Sequence, residues 1–177
     1  MSDTVNKTNN NLEFKGNKLN VVGNQVTEGS KAPDVTLTGN DLGDLSVSSL
    51  FGEVLIVSVV PSLDTPVCSL QTKRFNQELS KIQSKGVRAL TVSMDLPFAQ
   101  KRWCGAEDAT NVVTASDYKY RKFGEAYGCQ LPDLGLLARS LFVVDKSGVV
   151  RHVEYVKELS SEPNYDAALK IVSQLTE

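Results

Sequence analysis

Val54-Leu55-Ile56-Val57-Ser58-Val59-Val60 runs directly into Pro61-Ser62-Leu63-Asp64-Thr65-Pro66-Val67-Cys68. The first stretch is almost continuously apolar and β-branched, the pattern of a strand covered on both faces at the centre of an α/β sheet. Pro61 interrupts it. From Pro66 the period changes: Val67, Leu70, Phe75, Leu79 and Ile82 approximate one helical face, and Lys85-Gly86 supplies a stop. Val87-Arg88-Ala89-Leu90-Thr91-Val92-Ser93 reads as the next strand. The result is a strand–helix–strand unit, for which a parallel, right-handed crossover is the physical default.

The rest of the chain extends this unit. Upstream, Leu12-Glu13-Phe14-Lys15 and Leu19-Asn20-Val21 alternate around Gly16-Asn17 and predict a small hairpin. Val35-Thr36-Leu37-Thr38 predicts an edge strand. Downstream, Asp95 is expected to cap a short helix from Leu96 to Trp103. Val112-Val113-Thr114 predicts a strand, and Tyr118 to Tyr127 a helix. Ser140 to Asp145 and Val149 to Val156 flank Lys146-Ser147-Gly148 as a hairpin. Pro163 or Asn164 starts a last helix with Tyr165, Ala168, Leu169, Val172 and Leu175 at helical spacing. No Ser/Gly linker or internal repeat divides the chain. The expected organisation is a tail over residues 1–11 and one α/β domain over 12–177, a mixed sheet with helices on both faces.

Composition narrows the function classes. The chain has 177 residues, 41% of them hydrophobic and 23% charged, which suits one globular domain with a sizeable core. Its formal charge is -2, from 19 basic and 21 acidic side chains, and no basic block suggests nucleic-acid binding. The longest apolar run is too short to cross a bilayer. The polar, Asn-rich start carries no basic segment followed by an apolar one, so no secretory leader is expected and a cytoplasmic setting is. Three cysteines, Cys68, Cys104 and Cys129, are too few and oddly numbered for a disulfide framework. No cysteine pair has finger-like spacing and there is one histidine, so no metal or other cofactor is expected.

Cys68 is the leading candidate for chemistry. Thr65 is a good N-cap and Pro66 a good first helical residue, which places Cys68 in the first turn. Unpaired backbone N–H groups and the positive end of the helix dipole both favour a thiolate there. Inert packing of Cys68 as a small hydrophobe is the competing reading. Thr65 has two roles open to it, capping alone or a hydroxyl beside the sulfur. Pro61 either ends the strand or narrows access to the thiol. Cys104 follows the adjacent predicted strand, so it can share one end of the sheet with Cys68; the alternative is a solitary structural thiol. Arg139 reads equally as a surface or strand-entry salt bridge. His152 is expected on an exposed strand position, and Cys129 is expected to be structural.

At these residues the chain resembles the thiol peroxidase branch of the peroxiredoxins. Pro61-Ser62-Leu63-Asp64-Thr65-Pro66-Val67-Cys68 is similar to the family's Pro-x-x-x-Thr-x-x-Cys motif. Ser93-Met94-Asp95-Leu96-Pro97-Phe98-Ala99-Gln100, continuing to Arg102-Trp103-Cys104-Gly105-Ala106-Glu107, resembles the branch's resolving-cysteine segment. Leu136-Leu137-Ala138-Arg139-Ser140 resembles its arginine-bearing segment. The resemblance runs from about Leu12 to Leu175. It implies a thioredoxin-like fold with an N-terminal hairpin, and thiol-dependent reduction of hydrogen peroxide and organic hydroperoxides. Cys68 would be the peroxidatic and Cys104 the resolving cysteine, joined in an intramolecular disulfide. Thr65 and Arg139 would be polar partners of Cys68, and Pro61 its shield. The resemblance further implies thioredoxin as reductant and a homodimer. Cys129 lies outside the usual pair.

Two other classes compete. A thiol–disulfide oxidoreductase usually carries a second cysteine three residues before or after the first at the helix start, and here Thr65 stands in the preceding position. A peroxide sensor or redox-regulated, chaperone-like binding protein would use the same sulfenic acid and disulfide without turnover.

Overall fold

The computed structural model describes residues 12–82 and 86–177. The expected tail, and Lys85 of the expected helix stop, lie outside the described residues. The central strand is β5 (Val54–Val59), fully buried along its length. It pairs in parallel with β6 (Val87–Ser93), and β6 pairs in parallel with β7 (Val113–Ser116). Helix α1 (Pro66–Ile82) crosses from β5 to β6, and α2 (Pro97–Ala106) from β6 to β7. On the other side of β5 lies β10 (Ser140–Val144), antiparallel to it and to β11 (Val150–Tyr155). Beyond β7 come β3 (Thr36–Gly39) and β4 (Asp44–Ser46), both antiparallel. The sheet therefore has seven strands in the order β11-β10-β5-β6-β7-β3-β4.

Alternation along the strands divides the interior into two layers, because successive side chains leave a strand on opposite faces. Leu55, Val57, Leu90, Val92, Phe142 and Val144 enter one core, closed by the N-terminal segment, a short 3-10 turn at Val47–Leu50 and α3 (Phe123–Ala126). Val54, Ile56, Val87, Ala89, Leu141 and Val143 enter the other. There they meet Phe75 and Leu79 of α1, Trp103 of α2, and Ala168 and Val172 of α4 (Tyr165–Leu175). This is the mixed, helix-flanked, thioredoxin-like arrangement the sequence implied. The N-terminal hairpin is present, as β1 (Glu13–Phe14) and β2 (Asn17–Lys18), and a second small hairpin joins β8 (Gln130–Leu131) to β9 (Leu136–Leu137).

Several local expectations change. The strand expected at an edge, β3, is interior, because β4 pairs along its outer side and forms the edge. The helix expected from Tyr118 to Tyr127 shrinks to α3. Its start is held by the buried Asp117 carboxylate, which accepts from the Phe123 and Gly124 amides at 3.1 Å each. The inward face of α1 is Cys68, Gln71, Thr72, Phe75 and Leu79, while Leu70 stands 53% exposed. Asp95 does not cap α2: Leu96 occupies the N-cap with no side-chain bond. Asn164 does cap α4, accepting from the Ala167 amide at 3.1 Å. His152 is half-buried on β11 rather than exposed.

Candidate active site

β5 ends at Val59, and the chain turns through Pro61 to Asp64 into α1. Thr65 holds that corner. Its hydroxyl donates to the Ser62 carbonyl at 3.1 Å and accepts from the Cys68 amide at 3.4 Å. The bond to Cys68 is the N-cap bond that the Thr-x-x-Cys spacing predicts. It leaves Cys68 in the first turn with its side chain buried, at 0% exposure.

Arg139, just before β10, reaches the same sulfur. It is 2% exposed. Its Nη2 donates to Cys68 Sγ at 3.2 Å, its Nη1 to Gln71 Oε1 at 2.9 Å and its Nε to the Leu159 carbonyl at 3.0 Å. The oxygen acceptors are neutral, and no carboxylate is among these partners. A buried cation needs a compensating anion or full hydrogen bonding, and the Cys68 sulfur is the one partner here that is neither an amide nor a carbonyl oxygen. The surface salt bridge that the sequence left open for Arg139 is thereby replaced by a buried guanidinium aimed at sulfur. Gln71 in turn donates from Nε2 to Ser58 Oγ at 2.7 Å. Ser58, Gln71, Arg139 and Cys68 thus form one buried chain of hydrogen bonds from the central strand to the thiol.

A cavity of about 500 Å³ adjoins this group. Pro61, Thr65 and Arg139 line it together with the apolar Phe14, Val67, Leu134, Leu136 and Leu159. Arg139 is therefore shared between cavity and sulfur, and the N-terminal hairpin contributes one wall through Phe14. A larger hollow, about 610 Å³, lies between Asp34, Tyr120 and Lys122 and is lined by no cysteine.

Cys104 sits inside α2 rather than at its end, half-buried against the core layer that contains Cys68. Its Sγ lies 3.6 Å from Thr114 Oγ1 on β7. Burial raises its pKa above the ordinary thiol value, partly offset by the Thr114 hydroxyl. The structure thus brings Pro61, Thr65, Arg139 and Cys68 together and leaves Cys104 unpaired on the next helix. Cys129 is fully buried in the opposite core, where desolvation pushes its thiol far up.

Sequence reading missed Gln71 and Ser58. Ser58 is a polar residue inside the fully buried β5 and Gln71 one on the inward face of α1, and buried polar groups need partners. The available signal was Ser58, the one polar residue in the run 54–60, which a polar side chain of the following helix satisfies.

The fold and a buried, arginine-bound cysteine at a helix start define a redoxin, and the redoxin family model matches residues 27–169. The chain is similar to the thiol peroxidase of Bacillus subtilis, with 45% identity over 93% of this chain and 97% of that protein. It is 47% identical to the Streptococcus pneumoniae thiol peroxidase, over 93% and 99% of the two chains. A solved structure described as a peroxiredoxin-like protein from Aquifex aeolicus superposes with a TM-score of 0.86 at 41% identity, covering 93% of this chain and 96% of that one. The chain belongs to the thiol peroxidase branch of the peroxiredoxins, enzymes that reduce peroxides through a cysteine thiol. Among the described residues no helix is long and apolar enough to cross a membrane.

Proposed function

We propose that Cys68 carries out the peroxide reduction of this branch and that Cys104 resolves it. The observation that supports this most is the donation from the buried Arg139 to Cys68 Sγ at 3.2 Å. The thiolate attacks the terminal oxygen of a hydroperoxide. An S–O bond forms, the O–O bond breaks, and the departing alkoxide or hydroxide takes a proton to leave as alcohol or water. Arg139, always charged, steadies the thiolate and the departing oxygen. Thr65 and the N–H groups of the first turn orient the peroxide, and Pro61 walls the thiol from bulk water. The Cys104 thiolate then attacks the Cys68 sulfenic acid, forming the disulfide and releasing water after protonation.

A thioredoxin-type dithiol reopens the disulfide by exchange, which suits a reducing, cytoplasmic setting. The largely apolar cavity beside Arg139 favours organic hydroperoxides over hydrogen peroxide. Exposed Leu96 and Phe98 supply apolar surface for a homodimer. No nucleic-acid or metal partner enters the cycle.

The deciding experiment is peroxide turnover coupled to thioredoxin and its reductase. Cys68→Ser should lose turnover altogether. Cys104→Ser should react once with peroxide and lose thioredoxin-coupled turnover. Turnover by Cys68→Ser would overturn the assignment, and a single stoichiometric reaction by the wild type would mark a sensor instead.

A further inference from the structure

The Asp95 carboxylate joins the frames of the two cysteines. Oδ1 accepts from Ser62 Oγ at 2.7 Å, while Oδ2 accepts from the Leu63 amide at 2.8 Å and from Ser93 Oγ at 2.8 Å. Ser62 and Leu63 belong to the loop that precedes Cys68. Leu63 is buried in the same core layer as Cys68. The Ser62 carbonyl accepts from the Thr65 hydroxyl, which accepts from the Cys68 amide. An unbroken path of hydrogen bonds and one intervening residue therefore leads from Asp95 to the backbone of Cys68.

On its other side Asp95 belongs to the sheet and to the start of α2. Its amide donates to Ser93 Oγ at 3.2 Å, and its carbonyl accepts from Ser116 Oγ at 2.5 Å. Pro97 begins α2 immediately afterwards. Gln100, fully buried, donates from Nε2 to Ser93 Oγ and to the Ala115 carbonyl, both at 3.0 Å. The first turn of α2 is thus anchored to the same serine as Asp95, and Cys104 lies one turn beyond the anchor.

We propose that Asp95 is a positioning residue, a latch that holds the Cys68 loop closed for peroxide attack and must release it before Cys104 can form the disulfide. This rests on the roles assigned above to Cys68 and Cys104. The physical argument is one of opposed effects. A hydrogen bond to a carboxylate is stronger than one between neutral groups. Present only in the closed arrangement, it multiplies the ratio of closed to open chains, filling the closed state at the expense of the open one. Weakening it should slow the first step and speed the second.

The test is single-turnover mixing of the full chain with hydrogen peroxide, followed by fluorescence of Trp103, the only tryptophan and the neighbour of Cys104. Asp95→Asn and Ser62→Ala are compared with wild type; the Ser62 change removes one of the three bonds to the carboxylate, along with the bond its hydroxyl accepts from the Asp64 amide, and guards against a folding failure in the other. In both, the peroxide-dependent phase should slow about fivefold and the peroxide-independent phase quicken about tenfold, the range of one lost charge-assisted bond. Sulfinic acid formed at high peroxide, read by mass spectrometry, should fall in step. Rates that are unchanged, or that move in the same direction, overturn the latch. Cys104→Ser separates the two failures. If it abolishes the peroxide-independent phase while the latch variants behave as wild type, the latch alone is wrong. If that phase persists without Cys104, the resolving assignment is wrong and the latch falls with it.

Discussion

Replacing Arg139 by lysine keeps the charge and removes the fork. In the native site three nitrogens of one planar group serve three acceptors: Cys68 Sγ, Gln71 Oε1 and the Leu159 carbonyl. An ammonium is a compact point charge on a flexible stem and cannot reproduce that spacing. The lost bond to sulfur is one between a charged donor and its acceptor, about 1.5–3 kcal/mol, so peroxide attack should slow about 10- to 150-fold. At least one carbonyl acceptor, on Gln71 or Leu159, is also left buried without a donor, at a cost of about 1–3 kcal/mol. For a domain of this size that lowers Tm by about 2–12 °C. The assay is second-order peroxide consumption by the reduced enzyme at 25 °C, with thermal unfolding measured on the same preparation. Folded Arg139→Lys reacting within threefold of wild type would refute the reasoning, because charge alone would then be sufficient.

The resolving step should quicken with pH. Burial raises the Cys104 pKa, so at neutral pH the thiol is protonated and its thiolate fraction grows about tenfold per pH unit until the pKa is reached. The disulfide-forming phase measured from pH 6 to 8 should follow that slope, and a flat profile would exclude Cys104 deprotonation as limiting. Cys129→Ala should retain full thioredoxin-coupled turnover, and wild-type Cys129, fully buried, should be alkylated only on unfolding. Peptide mapping after maleimide treatment checks this, and labelling in the native state would contradict it. Leu134→Asp places a charge in the apolar cavity. It should lower kcat/KM for an aryl-alkyl hydroperoxide relative to hydrogen peroxide by about tenfold, given the cost of charge in apolar surroundings. An unaltered ratio would remove the cavity from substrate selection. Phe75→Ala, which empties a fully buried site in α1, should cost about 3–5 kcal/mol in chemical denaturation.

The sequence by itself determined what local chemistry controls. The almost continuously apolar run at β5 has the pattern of a covered strand, and Thr65-Pro66 that of a helix start, so the corner that carries Cys68 was legible without coordinates. The Lys146-Ser147-Gly148 hairpin and a last helix starting at Pro163 or Asn164 were legible for the same reason, turn and cap preferences acting over a few residues; the structure decided for Asn164 as the cap. Family motifs then marked Cys104 and Arg139. The face of α1 was misjudged because counting apolar residues favoured Leu70, whereas the buried positions went to Gln71 and Thr72. Those two are polar side chains whose burial is tolerable only with partners from β5, from α1's own backbone and from the segment before β10. The helix expected after Tyr118 shortened because Asp117 caps a later start.

Asp95 shows the division most clearly. Its position before Pro97 suggested a cap on its own helix. The tertiary structure instead delivered Ser62 and Leu63, more than thirty residues earlier, to its carboxylate. Partnerships of that kind depend on which strand ends lie side by side. Here they follow from the parallel pairing of β5 with β6, a long-range fact that local propensity cannot encode.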